Sequence, residues 1–226
     1  MVDIIRFNQR DKALAISIAL LTMAVLAVLA FGLVMPMFNN LMSTSDLRLL
    51  MMGQENTYAG MLVLIGLIIV LDFLLSVLIA DFFKNINRKL AFYAGLLRFA
   101  YSILFGVALC FLLSGFLTNE VHAADFWINM KRFYLLWNLS LGFLFGPHLI
   151  LTAFLMKQYK IIPVFVWGLT AFAGFAYVVV HVLKIFVPQW ATLELIEMIL
   201  ILPMVLGELL LAFWVLIKVA FRSSFN

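Results

Sequence analysis

The sequence predicts an all-α integral membrane protein with six transmembrane helices. Of the 226 residues, 66% are hydrophobic and 12% are charged, whereas an average soluble domain has about 25% charged residues. Six apolar segments also reach the roughly 20 residues that a helix needs to cross a bilayer. We expect one transmembrane domain over residues 1–226. Its predicted spans lie near residues 14–38, 58–82, 90–117, 133–156, 161–186 and 195–219.

The first apolar segment follows Arg6, Arg10 and Lys12, as the apolar core of a secretory signal peptide follows basic residues. Its apolar run is longer than such a core, and no small-residue cleavage site follows it. We therefore expect a retained span.

The distribution of basic residues predicts the orientation of the spans. Ten Lys and Arg residues lie at the two termini and in the second and fourth connections, against four in the other connections. Because cytoplasmic connections are enriched in Lys and Arg, both termini are predicted to be cytoplasmic. In the first outer connection, the helix-start residues 43–46 precede a run of Leu and Met. This pattern predicts a short amphipathic helix on the outer surface between spans one and two, with a partly ordered loop as the alternative.

Four ionisable residues lie at similar depths in four different spans. A rise of 1.5 Å per residue, counted from the predicted cytoplasmic boundary, places them roughly 13–18 Å into the membrane. They are Asp72, Arg98, His148 and Glu208. Because an isolated charge in a bilayer is strongly disfavoured, we expect these side chains to face one another, with Arg98 held by Asp72, Glu208 or both. Asn138 is assigned to the same layer.

Two carboxylates face one guanidinium in this predicted layer. Since arginine stays protonated, one acid is in excess. That acid is either protonated or balanced by His148 or by a bound cation. A proton- or cation-coupled site requires such a group, but the same layer would also serve to fix helix packing alone. Both interpretations stay open.

Small residues at helical spacing predict the faces on which the helices pack. They are Gly95, Ser102 and Gly106 in the third span and Gly142 and Gly146 in the fourth. Small side chains let helix backbones approach closely in lipid. Gly95 and Ser102 share a helix face with Arg98, so we expect the arginine to point into the bundle.

Two prolines lie inside predicted spans. Pro147 directly precedes His148, and Pro203 lies in the sixth span. A proline has no amide donor and crowds the preceding turn, so each is expected to kink its helix and release a carbonyl near the polar layer.

Motifs of catalysis and cofactor binding are absent from the sequence. It contains no HExxH, CxxC, GxSxG or glycine-rich phosphate loop. We expect no metal site and no cofactor, and the dispersed basic residues do not predict nucleic-acid binding. The expected partners are bilayer lipids, a membrane-protein partner or a second copy of the chain, and a small ligand or ion at the polar layer.

Several sequence stretches together resemble a known family. They are LDFLLSVLIADFFKNINRKLAFYAGLLRF from Asp72 to Arg98, the glycine-rich fourth span, AGFAYVV in the fifth span and LGELLLAFWVLIK in the sixth. Over about residues 60–219, the chain resembles the bacterial multi-pass membrane family called domain of unknown function 4386. The resemblance implies a protein of the bacterial cytoplasmic (inner) membrane with these polar residues in its helices. It implies no established activity.

Three functional hypotheses follow. The first is a non-catalytic membrane subunit or accessory protein whose layer of Asp72, Arg98 and Glu208 specifies packing, without an open cavity at that layer. The second is a small permease, channel or ligand-binding sensor that binds a proton, cation or small anion there, with a pocket or water path reaching Arg98. The third is an intramembrane enzyme that uses Asp72, Glu208 or His148 as acid or base.

Overall fold

The computed structural model describes residues 9–39, 53–117 and 123–221, and the regular secondary structure within these ranges is helical. Six helices in this part of the chain are long and apolar enough to cross a membrane, which confirms the prediction of an all-α fold with six such spans. In order, the first to sixth spans are Gln9–Phe38, Glu55–Phe83, Arg88–Ser114, Asp125–Gln158, Val164–Phe186 and Leu193–Lys218. The predicted outer-surface helix of residues 43–52 lies outside the described residues.

The short connections between spans follow local helix-start rules. The Leu90 backbone N–H donates to Oδ1 of Asn87 at 3.1 Å, which satisfies one of the free amides at the start of the third span. Pro163 directly precedes the fifth span, where its missing N–H removes no helical hydrogen bond. These tight connections set neighbouring spans antiparallel.

The six spans close into a ring. Each span packs against its neighbours in sequence, and the first also packs against the sixth. Ala13 near the start of the first span shares an apolar cluster with Val215 near the end of the sixth. The start of the first span and the end of the sixth therefore lie at one end of the bundle, which we call the termini end, and the other is the opposite end.

Two apolar clusters fill the bundle on either side of its polar centre. The cluster at the termini end is mainly aliphatic and includes Ile16, Leu75, Ile79, Leu155 and Val215. The cluster at the opposite end is rich in aromatic rings and includes Phe38, Tyr58, Phe105, Phe133 and Phe145. Polar side chains between these clusters are shielded from both ends of the bundle.

The first and fourth spans each contain a π-helical segment next to a proline. The segments are Val28–Val34 and Leu141–Phe145, and in each the amide just before Pro36 or Pro147 donates to the carbonyl five residues back. A proline lacks this donor and crowds the preceding turn, so a wider turn at this position relieves the steric conflict. At Pro147, the predicted kink therefore takes the form of a π-helical widening. Pro203 lies inside the α-helix Leu193–Phe221.

Close helix contacts occur at several of the predicted glycines. A Cβ atom at Gly146 would lie 2.8 Å from the carbonyl oxygen of Gly174, and a Cβ atom at Gly95 would lie 2.7 Å from that of Ser76. These positions bring the fourth span against the fifth and the second against the third. Gly142 is less tight, with its Cβ position 3.3 Å from the Cβ atom of His181.

Gly106 does not make the contact that its spacing predicts. No heavy atom in the described ranges lies within 4 Å of its Cβ position, outside its own helix backbone and chain neighbours. Gly106 lies about 16 Å along the third span from Gly95. Crossing helices separate away from their closest point, so shared helical spacing alone does not ensure a second contact.

Candidate functional site

Arg98 lies in the middle of the third span, and its side chain is fully buried. Its Nε and Nη2 atoms donate to Oδ1 of Asp72 at 2.9 and 2.6 Å. Nη1 donates to Oε1 of Glu208 at 2.5 Å and lies 3.1 Å from Nε2 of His148. Nη2 also donates to Sδ of Met23 at 3.8 Å. These five contacts match the five N–H groups of a guanidinium and join the third span to the first, second, fourth and sixth.

His148 is neutral in this geometry. Its Nδ1 lies 2.8 Å from the carbonyl oxygen of Ala94, which can only accept, so Nδ1 carries a proton. Its Nε2 faces Nη1 of Arg98, whose N–H groups can only donate, so Nε2 presents its lone pair. His148 therefore orients the guanidinium and adds no positive charge to the cluster.

The two carboxylates of the cluster differ in accessibility. The Asp72 side chain is 2% exposed, whereas that of Glu208 is 17% exposed. If both were ionised, the cluster would carry one excess negative charge in a low-dielectric interior, which is strongly unfavourable. A proton or a bound cation is therefore needed for balance, and Glu208 presents the more accessible carboxylate.

Contacts beside Glu208 fix its position on the sixth span. The hydroxyl of Thr170 lies 2.7 Å from the carbonyl oxygen of Gly207 and donates to it, which ties the fifth span to the sixth one residue before Glu208. Gly207 packs closely against Ala173, so a side chain at this position would separate the two helices.

Sequence reasoning did not identify three groups around Arg98. They are the Met23 thioether, the Ala94 carbonyl, and the Phe145 ring, whose centroid lies 5.4 Å from Cζ of Arg98. Met and Phe are ordinary residues of an apolar span, and a backbone carbonyl leaves no signal in a sequence. Ser102, on the predicted face, donates instead to the Arg98 carbonyl oxygen of its own helix at 2.9 Å.

Asn138 lies apart from the ion cluster, which corrects its assignment to the polar layer. Its Oδ1 accepts a hydrogen bond from Nδ1 of His181 at 2.7 Å, so it joins the fourth span to the fifth. Ten residues separate Asn138 from His148, about 15 Å along a helix. That distance is too long for both side chains to meet Arg98.

Replacing Asn138 with leucine is expected to lower the free energy of unfolding by about 1 kcal/mol, because the buried Nδ1–H of His181 loses its acceptor. The measurement is denaturant unfolding in detergent micelles. Ser140→Ala is the matched control, since the Ser140 hydroxyl donates to the Trp137 carbonyl of the same helix. An equal loss in both variants would contradict a specific link between the two spans.

Two surface cavities of the described chain lie away from the ion cluster. One, of about 720 Å³, lies at residues 183–190, and the other, of about 430 Å³, lies between the second and third spans. Neither is lined by Asp72, Arg98, His148 or Glu208. Among the described residues, no group of three or more His, Cys, Asp and Glu side chains is placed to hold a metal ion.

The fold and the cluster define a multi-pass α-helical membrane protein with a buried Asp–Arg–Glu network. Residues 15–218 match the family described as Domain of unknown function (DUF4386), and the chain belongs to that family. This match confirms the resemblance found in the sequence. No curated protein and no solved structure matches the chain.

Proposed function

We propose that this chain is a non-catalytic subunit or accessory protein of the bacterial cytoplasmic membrane, in which the ion cluster fixes the packing of the spans. The observation that carries the proposal is the saturation of Arg98, whose five N–H groups match five contacts to four other spans. A guanidinium with every donor engaged has none left for an anionic ligand. It acts instead as a hub for its neighbours.

The proposed protein is a single domain with both termini in the cytoplasm. Basic side chains at the termini end of the bundle support this orientation, since cytoplasmic ends are enriched in Lys and Arg. Those in the described residues include Arg10, Lys12, Lys84, Arg88, Lys157 and Lys218.

An exposed face of the fifth span supports a membrane-protein partner or a second copy of the chain. Phe165, Phe172 and Phe175 recur at helical spacing there, and all three are more than half exposed. Gly168 lies between them, with open space at its Cβ position. Aromatic side chains beside a small residue provide a ridge and a hollow for a partner helix.

A proton- or cation-coupled permease, channel or sensor is the second candidate. The observation that favours it is the partial exposure of Glu208, at 17%, in a cluster with one excess carboxylate. In this candidate, the proton or cation that balances the cluster exchanges with the surroundings during function. In the first candidate, it stays in place.

Glu208→Gln distinguishes the two candidates, because it removes the exchangeable charge and keeps an oxygen for Arg98. For a structural cluster, we expect the free energy of unfolding to change by less than about 1 kcal/mol. This change corresponds to a shift in Tm of less than about 2–4 °C. We also expect the Tm of the unmodified protein to be the same in sodium, potassium and choline chloride.

The same melting series has an outcome that contradicts the structural proposal. A Tm that rises with one cation in the unmodified protein, and not in Glu208→Gln, would favour the coupled permease or sensor. Glu194→Gln is the matched control, since it neutralises an acid at the opposite end.

A further inference from the structure

A groove of about 430 Å³ runs between the second and third spans on the outer face of the ring. Its apolar walls include Val77, Ala80, Phe92, Leu96 and Phe99. Val77 and Phe92 are 63% and 60% exposed, so this surface faces the bilayer. The groove is therefore shaped and lined for hydrocarbon.

The mouth of the groove is cationic. Lys84 and Arg88 line it at the termini end, where the second span turns into the third, and both are exposed. Asp81 also lines it, but this carboxylate is already paired with Lys12 and Lys84. Lys12, Lys84 and Arg88 together carry three positive charges against the one negative charge of Asp81. The mouth therefore has an excess of positive charge.

The floor and the far end of the groove are closed. At Gly95, the two helices approach so closely that a Cβ atom would lie 2.7 Å from the Ser76 carbonyl oxygen. At the end away from the charges, the rings of Phe73 and Phe99 meet edge to face at 5.2 Å. From Arg88 to Phe99 the groove extends about 16 Å along the third span.

We propose that this groove binds one anionic phospholipid, with its phosphate at Arg88 and Lys84 and an acyl chain along Phe92, Leu96 and Phe99. Positively charged pockets between transmembrane helices on the cytoplasmic side favour anionic headgroups. An apolar groove that ends in excess positive charge complements an anionic phospholipid, which has hydrocarbon chains and a negatively charged headgroup. A zwitterionic lipid would fill the groove but leave the excess positive charge unbalanced.

The test is lipid retention by the full-length protein, measured by native mass spectrometry after exchange into phosphatidylglycerol or phosphatidylcholine micelles. We expect preferential retention of one phosphatidylglycerol. Each basic residue near an anionic membrane surface contributes about fivefold in affinity, so Lys84→Gln with Arg88→Gln should lower retention by about 25-fold. Lys131→Gln with Arg132→Gln, an equal charge change near the opposite end, should leave retention unchanged.

Two further variants keep the test decisive if the double variant fails to fold. Arg88→Gln leaves the Lys84–Asp81 pair in place and should lower retention about fivefold. Val77→Trp fills the groove without changing a charge and should also lower it. Equal retention of phosphatidylcholine, equal loss in the control, or displacement of the lipid by inorganic phosphate alone would overturn the proposal.

Discussion

Arg98→Leu is expected to lower the free energy of unfolding by about 3–5 kcal/mol, because it leaves buried carboxylates without their counter-charge. The carboxylates of Asp72 and Glu208 and the Nε2 atom of His148 would then all lose the hydrogen-bond donor that Arg98 provides. The measurement is denaturant unfolding of the purified protein in detergent micelles, followed by circular dichroism.

Two further variants show whether the loss belongs to the cluster. Arg132→Leu removes an exposed guanidinium that lies 5.7 Å from the Phe111 ring, and its stability should stay close to that of the unmodified protein. Arg98→Lys keeps the charge but offers three donors for five contacts, so its stability should fall between the other two. An Arg98→Leu protein as stable as Arg132→Leu would contradict the structural role of the cluster.

Gly146→Ala has the second-largest expected effect, a loss of about 1–3 kcal/mol from overpacking the contact between the fourth and fifth spans. The new methyl group would lie 2.7 Å from Cγ2 of Val178 and 2.8 Å from the carbonyl oxygen of Gly174. The valine side chain can rotate, but a helix carbonyl cannot, so the two helices must move apart. The same unfolding measurement checks this loss.

Gly106→Ala is the matched control for that substitution. No heavy atom of the described chain outside its own helix backbone and chain neighbours lies within 4 Å of its Cβ position. Alanine favours the helix by up to about 1 kcal/mol over glycine, so the variant should be as stable as the unmodified protein or slightly more stable. Similar losses in both variants would show that glycine acts at Gly146 through the helix backbone and not through the contact.

The spans and the depth of the polar residues follow from the sequence because both depend on local quantities. Hydrophobic length defines a span, and a constant helical rise converts residue number into depth. Counting along the chain therefore places Asp72, Arg98, His148 and Glu208 at similar depths. The cost of an unpaired charge in lipid then predicts that they meet, and in the structure the other three all contact Arg98.

Contacts that depend on how the helices cross do not follow from the sequence in the same way. Gly106 has the spacing of a packing residue, but no described atom of a neighbouring helix lies within 4 Å of its Cβ position. The π-helical segment Leu141–Phe145 adds a wider turn between Asn138 and His148. It changes the helix face that an uninterrupted α-helical period assigns to residues on either side. Met23 carries no charge and belongs to no motif, so only the folded structure reveals its contact with Arg98.

The pairing of Arg98 with His148 also adds information that composition cannot provide. A count of charges leaves open whether His148 balances the second carboxylate. The Ala94 carbonyl fixes one proton on Nδ1, and Nε2 faces an N–H donor of Arg98 and so carries no proton. The ring is therefore neutral, and the balance must come from a proton or a cation.

The most direct test of the structural cluster is the stability of a variant in which all its charges are replaced together by apolar side chains of similar size, Asp72→Leu, Arg98→Met and Glu208→Met. Replacing a whole buried ion network with well-packed hydrophobic residues of similar volume is often neutral or stabilising, because the cost of burying the charges disappears as well. We therefore predict that the free energy of unfolding of the triple variant is at least about 3 kcal/mol higher than that of Arg98→Leu and close to that of the unmodified protein. A triple variant as unstable as Arg98→Leu would contradict the account, since the three charges would then not act through one another.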